Sequence, residues 1–267
     1  MTRPHRGRRL SVVLTAVFLA TLAVSSLPGP AHASADAVAE SHIVDLINHD
    51  RAARGLVPLR RMTGLATIAG SRASKMASAN SLSHTVGGDL GKQIDARGID
   101  WYRYGEAIAY TTAAWADTAA RTLYRMWMGS DSHRALLMSS RFNYVGVGLA
   151  LRSSNGRTYG TVVLTESADV SGARSWLIDV DVTGNDIRWS WAGSDLSLQT
   201  HTAGLRDYDV QVRAGTNPWT TIRNDTTATS VTLWNKARGV TYSIRIRATD
   251  RRSNAGSWTA ESRVTLP

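Results

Sequence analysis

A change of period in the apolar residues constrains this chain more than any other feature. Up to Met138 they recur at helical spacing, and from Tyr144 onward they alternate with polar or small residues. A helix buries a stripe that returns every 3.6 residues, whereas a half-buried strand shows every second residue to the core. The chain therefore divides into a helical segment followed by a β segment. Residues 35–53 carry Val38, Ile43, Leu46 and Ile47 near helical spacing, with Arg54-Gly55 as a stop and Pro58 beyond. Residues 63–79 repeat the pattern through Leu65, Ile68, Ala69, Arg72 and Met76. A short helix is expected over 90–97, closed by Gly98, and a longer one capped by Asp117 and running through Leu123 and Met126 to Trp127. Residues 144–151 and 158–165 then form a predicted hairpin around Asn155-Gly156, giving an α+β domain.

The first 33 residues are set apart. Arg3, Arg6, Arg8 and Arg9 precede an apolar run over 10–27, then Pro28-Gly29-Pro30 and the small-x-small sequence Ala31-His32-Ala33. This order reads as a secretory signal peptide cleaved after Ala33; an uncleaved membrane anchor is the other reading of the same run. No later stretch is apolar enough to span a bilayer. The chain has no cysteine, which excludes both an acylated lipoprotein and a disulfide-stapled secreted fold, so its stability must come from packing. Formal net charge is +10, and removing the four leading arginines leaves +6 with no dense basic run. That excess is too spread to indicate nucleic acid as a partner, but it favours acidic wall polymers or other anionic surfaces.

Three side chains stand out as candidates for chemistry. Ser130 reads as the N-cap of a helix over 131–138, which places His133 in its first turn. A helix start disfavours added positive charge, so this imidazole is expected to be neutral, the form that serves as a base or metal ligand; a capping or surface histidine is the plainer reading. His84 follows the helix over 63–79, in a loop. Glu106 lies between Gly105 and an apolar segment, where an exposed strand-start residue is equally ordinary. His42 and His49, seven residues apart on the first helix, have no third partner near them in sequence.

Five motifs in register then carry a resemblance. They are Asn48-x-x-Arg51 with Gly55-Leu56-x-Pro58-Leu59, Ser83-His84-Thr85, Gly105-Glu106 before an apolar strand, Trp127 with Ser130-x-x-His133-Arg134, and Tyr144-Val145-Gly146-Val147-Gly148. Over residues 35–169 the chain resembles bacterial domains of the CAP superfamily, the SCP-like extracellular proteins. The resemblance implies an α-β-α sandwich in which His84, Glu106 and His133 converge on a central cleft. Ser130 stands where many eukaryotic relatives carry a second glutamate, Ala107 replaces the usual asparagine, and Asp131 the usual proline. These departures put a full two-histidine, two-glutamate set in doubt.

Beyond residue 176 the pattern is all β. The segments 187–191, 208–213, 230–234 and 242–248 alternate, with Tyr242, Ile244, Ile246 and Ala248 directed inward and Arg245 and Arg247 outward. The Trp-x-Trp segment at Trp189 and Trp191, the Tyr208-x-Val210-x-Val212-Arg213 segment, Gly239 to Tyr242 placed like a tyrosine corner, and Asn254-x-Gly256-x-Trp258 resemble a bacterial fibronectin type III domain. Trp189, Trp191, Trp219, Trp234 and Trp258 either fill such a sandwich or stack on sugars. The expected organisation is a signal peptide over 1–33, a CAP-like domain over 35–170 and a type III-like domain over 174–267 that spaces or tethers it.

Two imidazoles and a carboxylate are the ligand types of a zinc site with an open position. Neither a His-Glu-x-x-His helix nor a Gly-x-Ser-x-Gly elbow is present. The expected function is a secreted protein, extracellular or wall-associated, whose cleft binds a ligand or a divalent cation such as zinc through His84 and His133. Its expected partner is a cell-wall polymer, polysaccharide or lipid. The alternative is a metal-assisted hydrolase or protease using His84, Glu106 and His133. Whether the chain is an enzyme is open at this point.

Overall fold

The helical stripes and the alternating segments build two layered bodies in the computed structural model, which describes residues 35–113 and 116–267. The proposed signal peptide lies outside the described residues. In the first body, four strands form one sheet in the order β1 (Arg60–Arg61), β3 (Tyr144–Arg152), β4 (Arg157–Ser167), β2 (Trp101–Thr111). β1 runs parallel to β3, and the other pairings are antiparallel. Gly156 takes a left-handed φ of 65° in the β3–β4 turn, as the Asn-Gly signal requires.

Helices cover both faces. Ile43, Val44 and Ile47 of α1 (Ala35–Ala52) and Leu123 and Trp127 of α4 (Ala116–Gly129) pack with Val145, Val147, Val162 and Leu164 in one core. On the opposite face, Leu65, Ile68 and Ala69 of α2 (Thr63–Ala79) pack with Leu90 and Ile94 of α3 (Leu90–Asp95), Tyr144 and Val163. The two glycines of the Tyr-Val-Gly-Val-Gly segment explain how close α2 lies. A Cβ on Gly146 would sit 2.1 Å from the Leu65 carbonyl carbon, and one on Gly148 would sit 2.1 Å from the Gly70 nitrogen. Val145 and Val147, which alternate with them, face the other core, so one strand serves a close backbone approach on one side and a packed layer on the other.

Two helix-start expectations are corrected. Ser130 occupies the N-cap of α5 (Asp131–Leu137) with extended backbone, but its hydroxyl meets Ser132 Oγ at 3.2 Å instead of capping a backbone N–H. Asp117 lies one residue inside α4, where its carboxylate pairs with His42 and Arg121.

The second body stacks a three-stranded sheet on a four-stranded one. The first has the order β5 (Arg174–Thr183), β6 (Asp186–Ser194), β9 (Ser230–Leu233); the second has β11 (Ser262–Thr265), β10 (Thr241–Asp250), β7 (Leu205–Ala214), β8 (Thr220–Thr226). Ile187, Trp189, Trp191, Tyr208, Val210, Ile244, Ile246 and Ala248 fill the space between them. The described residues form one compact unit, and the loop 195–204 between β6 and β7 joins the bodies. Val57 N–H donates to Gln199 Oε1, Asn143 Nδ2 to the Thr200 carbonyl, and Arg60 to the Ser197 carbonyl. Leu198, 5% exposed, belongs to the α2–α3 core. At this junction the carboxylates of Asp169, Asp195 and Asp250 lie within 4.8 Å of one another, each held by backbone N–H donors.

Candidate functional site

Glu106 projects from the middle of β2 toward α2, where Arg72 awaits it. Arg72 is 2% exposed and donates through Nε to Glu106 Oε1 at 2.5 Å and through Nη2 to Oε2 at 3.0 Å. Burying either charge alone would cost several kcal/mol, so the pair persists as a two-point guanidinium–carboxylate contact. The same guanidinium also donates to the Gly88 carbonyl at 2.8 Å and the His84 carbonyl at 2.6 Å. One side chain thus ties the strand that bears Glu106 to the loop that bears His84.

The His84 ring meets Glu106 Oε2 through Nδ1 at 2.7 Å. A carboxylate on Nδ1 fixes that nitrogen as the donor and leaves Nε2 with its lone pair free, the arrangement seen where a carboxylate orients a metal-binding or basic imidazole. His84 remains 57% exposed, while Glu106 is 6% exposed, so the histidine is the member of the pair a ligand can reach. His133 approaches from α5. Burial holds its pKa below the usual imidazole value, and the repulsion that a protonated His84 would exert adds to the effect. The ring is accordingly neutral at pH 7 and has no hydrogen-bond partner among the described residues. α5 is itself pinned by Arg51, wholly buried, which donates to the carbonyls of Leu137 and Ser139.

The structure therefore brings His84 and Glu106 into contact, while His133 lines a different cavity from His84. It excludes His42 and His49, which instead pair locally with Asp117 and Asp50. Beside His133 opens a cavity of about 420 Å³ walled by Leu82, Ile108, Tyr110, Met126, Trp127 and Ser130. The indole N–H of Trp127 has no acceptor among the described residues. Sequence reading missed Arg72 as a site residue. Its signal was an arginine in register with Leu65, Ile68, Ala69 and Met76, a charge on a face otherwise destined for burial.

Residues 44–165 match the family model described as CAP, the cysteine-rich secretory protein family. This segment is a CAP domain. Among curated proteins, the uncharacterized membrane protein YlbC of Bacillus subtilis is similar, 30% identical over 112 residues. The match covers 41% of this chain and 31% of YlbC, so the chain spans less than a third of that relative's length. An extracellular protein of Bacillus anthracis containing an SCP domain is 24% identical with a TM-score of 0.42, over 49% of this chain and 41% of that one. An outer surface protein of Borrelia burgdorferi is 17% identical with a TM-score of 0.44, over 49% and 93%. An Fn3-like protein of Clostridium thermocellum is 20% identical with a TM-score of 0.26, over 37% and 96%.

Beyond the CAP domain, four of the five tryptophans named as possible sugar platforms have another use. Trp189 and Trp191 are buried in the sandwich. Trp219 has Arg213 and Arg245 over its ring at 4.6 and 4.4 Å, and Trp258 has Arg245 and Arg247 at 4.8 and 4.9 Å. Trp234 is 66% exposed. Among the described residues, no helix is long and apolar enough to cross a membrane.

Proposed function

We propose that this is a secreted or surface-held CAP-domain protein whose cleft binds a divalent cation through the Nε2 of His84 and the imidazole of His133. The observation that carries this reading is the His84–Glu106 contact. It orients one imidazole at the cleft, and the second, His133, has no hydrogen-bond partner among the described residues and lines a neighbouring cavity. Two neutral imidazole nitrogens suit zinc, and exogenous ligand or water would complete the coordination. Glu106 serves as the orienting partner of His84 and not as a ligand, because Arg72 and His84 already take both of its oxygens.

The hydrolase alternative needs a carboxylate free to accept a proton from water. Both Glu106 oxygens are already engaged, Oε1 by Arg72 and Oε2 by Arg72 and His84, which leaves no oxygen turned to a water. The binding reading is favoured for that reason, with a wall polymer, polysaccharide or lipid as the envelope partner. Residues 174–267 are read as a fibronectin type III-like domain. Their strand orders support this, as does the Ala237 N–H donating to Tyr242 Oη at 3.1 Å, which is the tyrosine-corner bond. Calorimetric titration of Zn²⁺ into the wild type and a His84→Ala/His133→Ala variant tests the cation site. Binding by the wild type and none by the variant is expected; identical titrations would sink the reading.

A further inference from the structure

The C-terminal sandwich is attached to the CAP domain by more than a linker, and its attachment converges on the elements that carry the cleft residues. Leu198, in the loop 195–204, is buried in the same apolar cluster as Leu90 and Ile94 of α3. α3 has six residues, too few to hold a helical conformation alone, so its order depends on tertiary cover. Directly before α3 runs the segment that bears His84. Asp89 caps the helix by accepting from Lys92 N–H, Gln93 Nε2 donates to the Gly87 carbonyl, and Arg72 grips the Gly88 and His84 carbonyls. The same loop reaches β2 as well. His201 stacks on Tyr102 with ring centroids 4.4 Å apart, and its Nε2 meets Glu166 Oε1 at 3.1 Å. Tyr102 lies four residues before Glu106 on that strand. Leu198 N–H donates to Thr202 Oγ1, which in turn donates to the Leu198 carbonyl, so the loop enters the junction braced around its anchor.

We infer that the loop 195–204 of the second body is a positioning element for the cleft: Leu198, buried in the apolar cluster that α3 shares, holds the His84 segment in the geometry that presents its imidazole. This rests on the cleft reading above for its functional meaning, while the mechanical claim stands on packing alone. Truncating Leu198 opens a space in the cluster that buries α3, and the loss is felt first in the least stable segment packed on it.

Hydrogen exchange on the full chain, read by mass spectrometry, compares the wild type with Leu198→Ala, Leu198→Val and Val231→Ala. The last of these truncates the sandwich core on β9. Amides over 84–95 are expected to exchange about tenfold faster in Leu198→Ala, and less so in Leu198→Val, with β3 and β4 little changed. Val231→Ala is expected to leave 84–95 unmoved. Zn²⁺ affinity should fall in step with exchange over 84–95. Unchanged exchange there in Leu198→Ala, or an equal rise in Val231→Ala, overturns the inference; so does faster exchange with undiminished Zn²⁺ affinity. If Leu198→Ala does not fold, Leu198→Val decides by the same criteria. A wild type that binds no Zn²⁺ removes the cation reading, and the exchange comparison then decides the positioning claim by itself.

Discussion

Arg72 of α2 and Glu106 of β2, 34 residues apart in sequence, meet in a two-point ion pair that is almost wholly buried and that also anchors the His84 carbonyl. Arg72→Met should cost about 3–5 kcal/mol, because it strands a buried carboxylate. Urea denaturation of Arg72→Met, Glu106→Leu and the double variant checks this. The double variant should lose less than the sum of the two single losses, since it leaves neither charge orphaned; simple additivity would show that the pair is not coupled.

Gly148 has no space for a side chain against the α2 backbone. Gly148→Ala should destabilise by about 3 kcal/mol or more, because the nearest atoms are main chain and cannot rotate away. Gly98 offers the opposite control as far as space goes, with nothing within 4 Å, although its φ of 64° penalises any side chain. Thermal melts of the two alanine variants should rank Gly148→Ala as clearly the worse.

Glu40 of α1 is half-buried and accepts the Leu149 N–H at 2.9 Å. Burial raises its pKa above the ordinary 4.5; the Leu149 hydrogen bond opposes this, and Asp36 adds to it. The folded state therefore holds this proton more tightly than the unfolded chain does. The stability contributed by the group is fully present below its unfolded pKa and is lost as pH rises through the folded value. Glu40→Gln keeps an acceptor oxygen without the charge, so it should be more stable than the wild type at pH 7 and lose that advantage near pH 4. Melting temperatures at the two pH values provide the check, and equal differences at both would contradict the assigned cause.

Arg245 lies over both Trp219 and Trp258 while donating to Gln211. Arg245→Ala should cost about 1–2 kcal/mol through two lost cation–π contacts. It should also raise the exposure of both indoles, visible as a red-shifted tryptophan emission. Arg188, exposed on β6 with a 3.9 Å ion pair to Asp181 and a 3.3 Å hydrogen bond to the Ser230 hydroxyl oxygen, should tolerate alanine with little change.

The helices and the hairpin were legible because their information is local. Stripes such as Leu65, Ile68, Ala69 and Met76, and the Asn155-Gly156 turn, state their own conformation. The capping expectations at Ser130 and Asp117 failed because each side chain found another partner, Ser132 in one case and His42 with Arg121 in the other. His84, Glu106 and His133 emerged as a set through family resemblance, since separations of 22 and 27 positions along the chain carry no distance information. Arg72 went unassigned because a lone arginine on an apolar stripe usually snorkels to solvent, and nothing in the chain names the carboxylate it will meet.

By itself the sequence determined the main helices, the 144–165 hairpin and the alternating strands at 187–191, 208–213, 230–234 and 242–248, and which residue types were available for chemistry. The full length of β2 and the strands β5, β8 and β11 came only from pairing. Tertiary structure alone decided that Glu106 is neutralised by Arg72, that Trp219 and Trp258 are covered by guanidiniums, and that Leu198 of the second body completes the core of the first. The physical reason is range. Backbone conformation and amphipathicity follow from neighbours a few residues away, whereas a buried charge or an apolar anchor acquires its meaning only from whatever long-range packing places beside it.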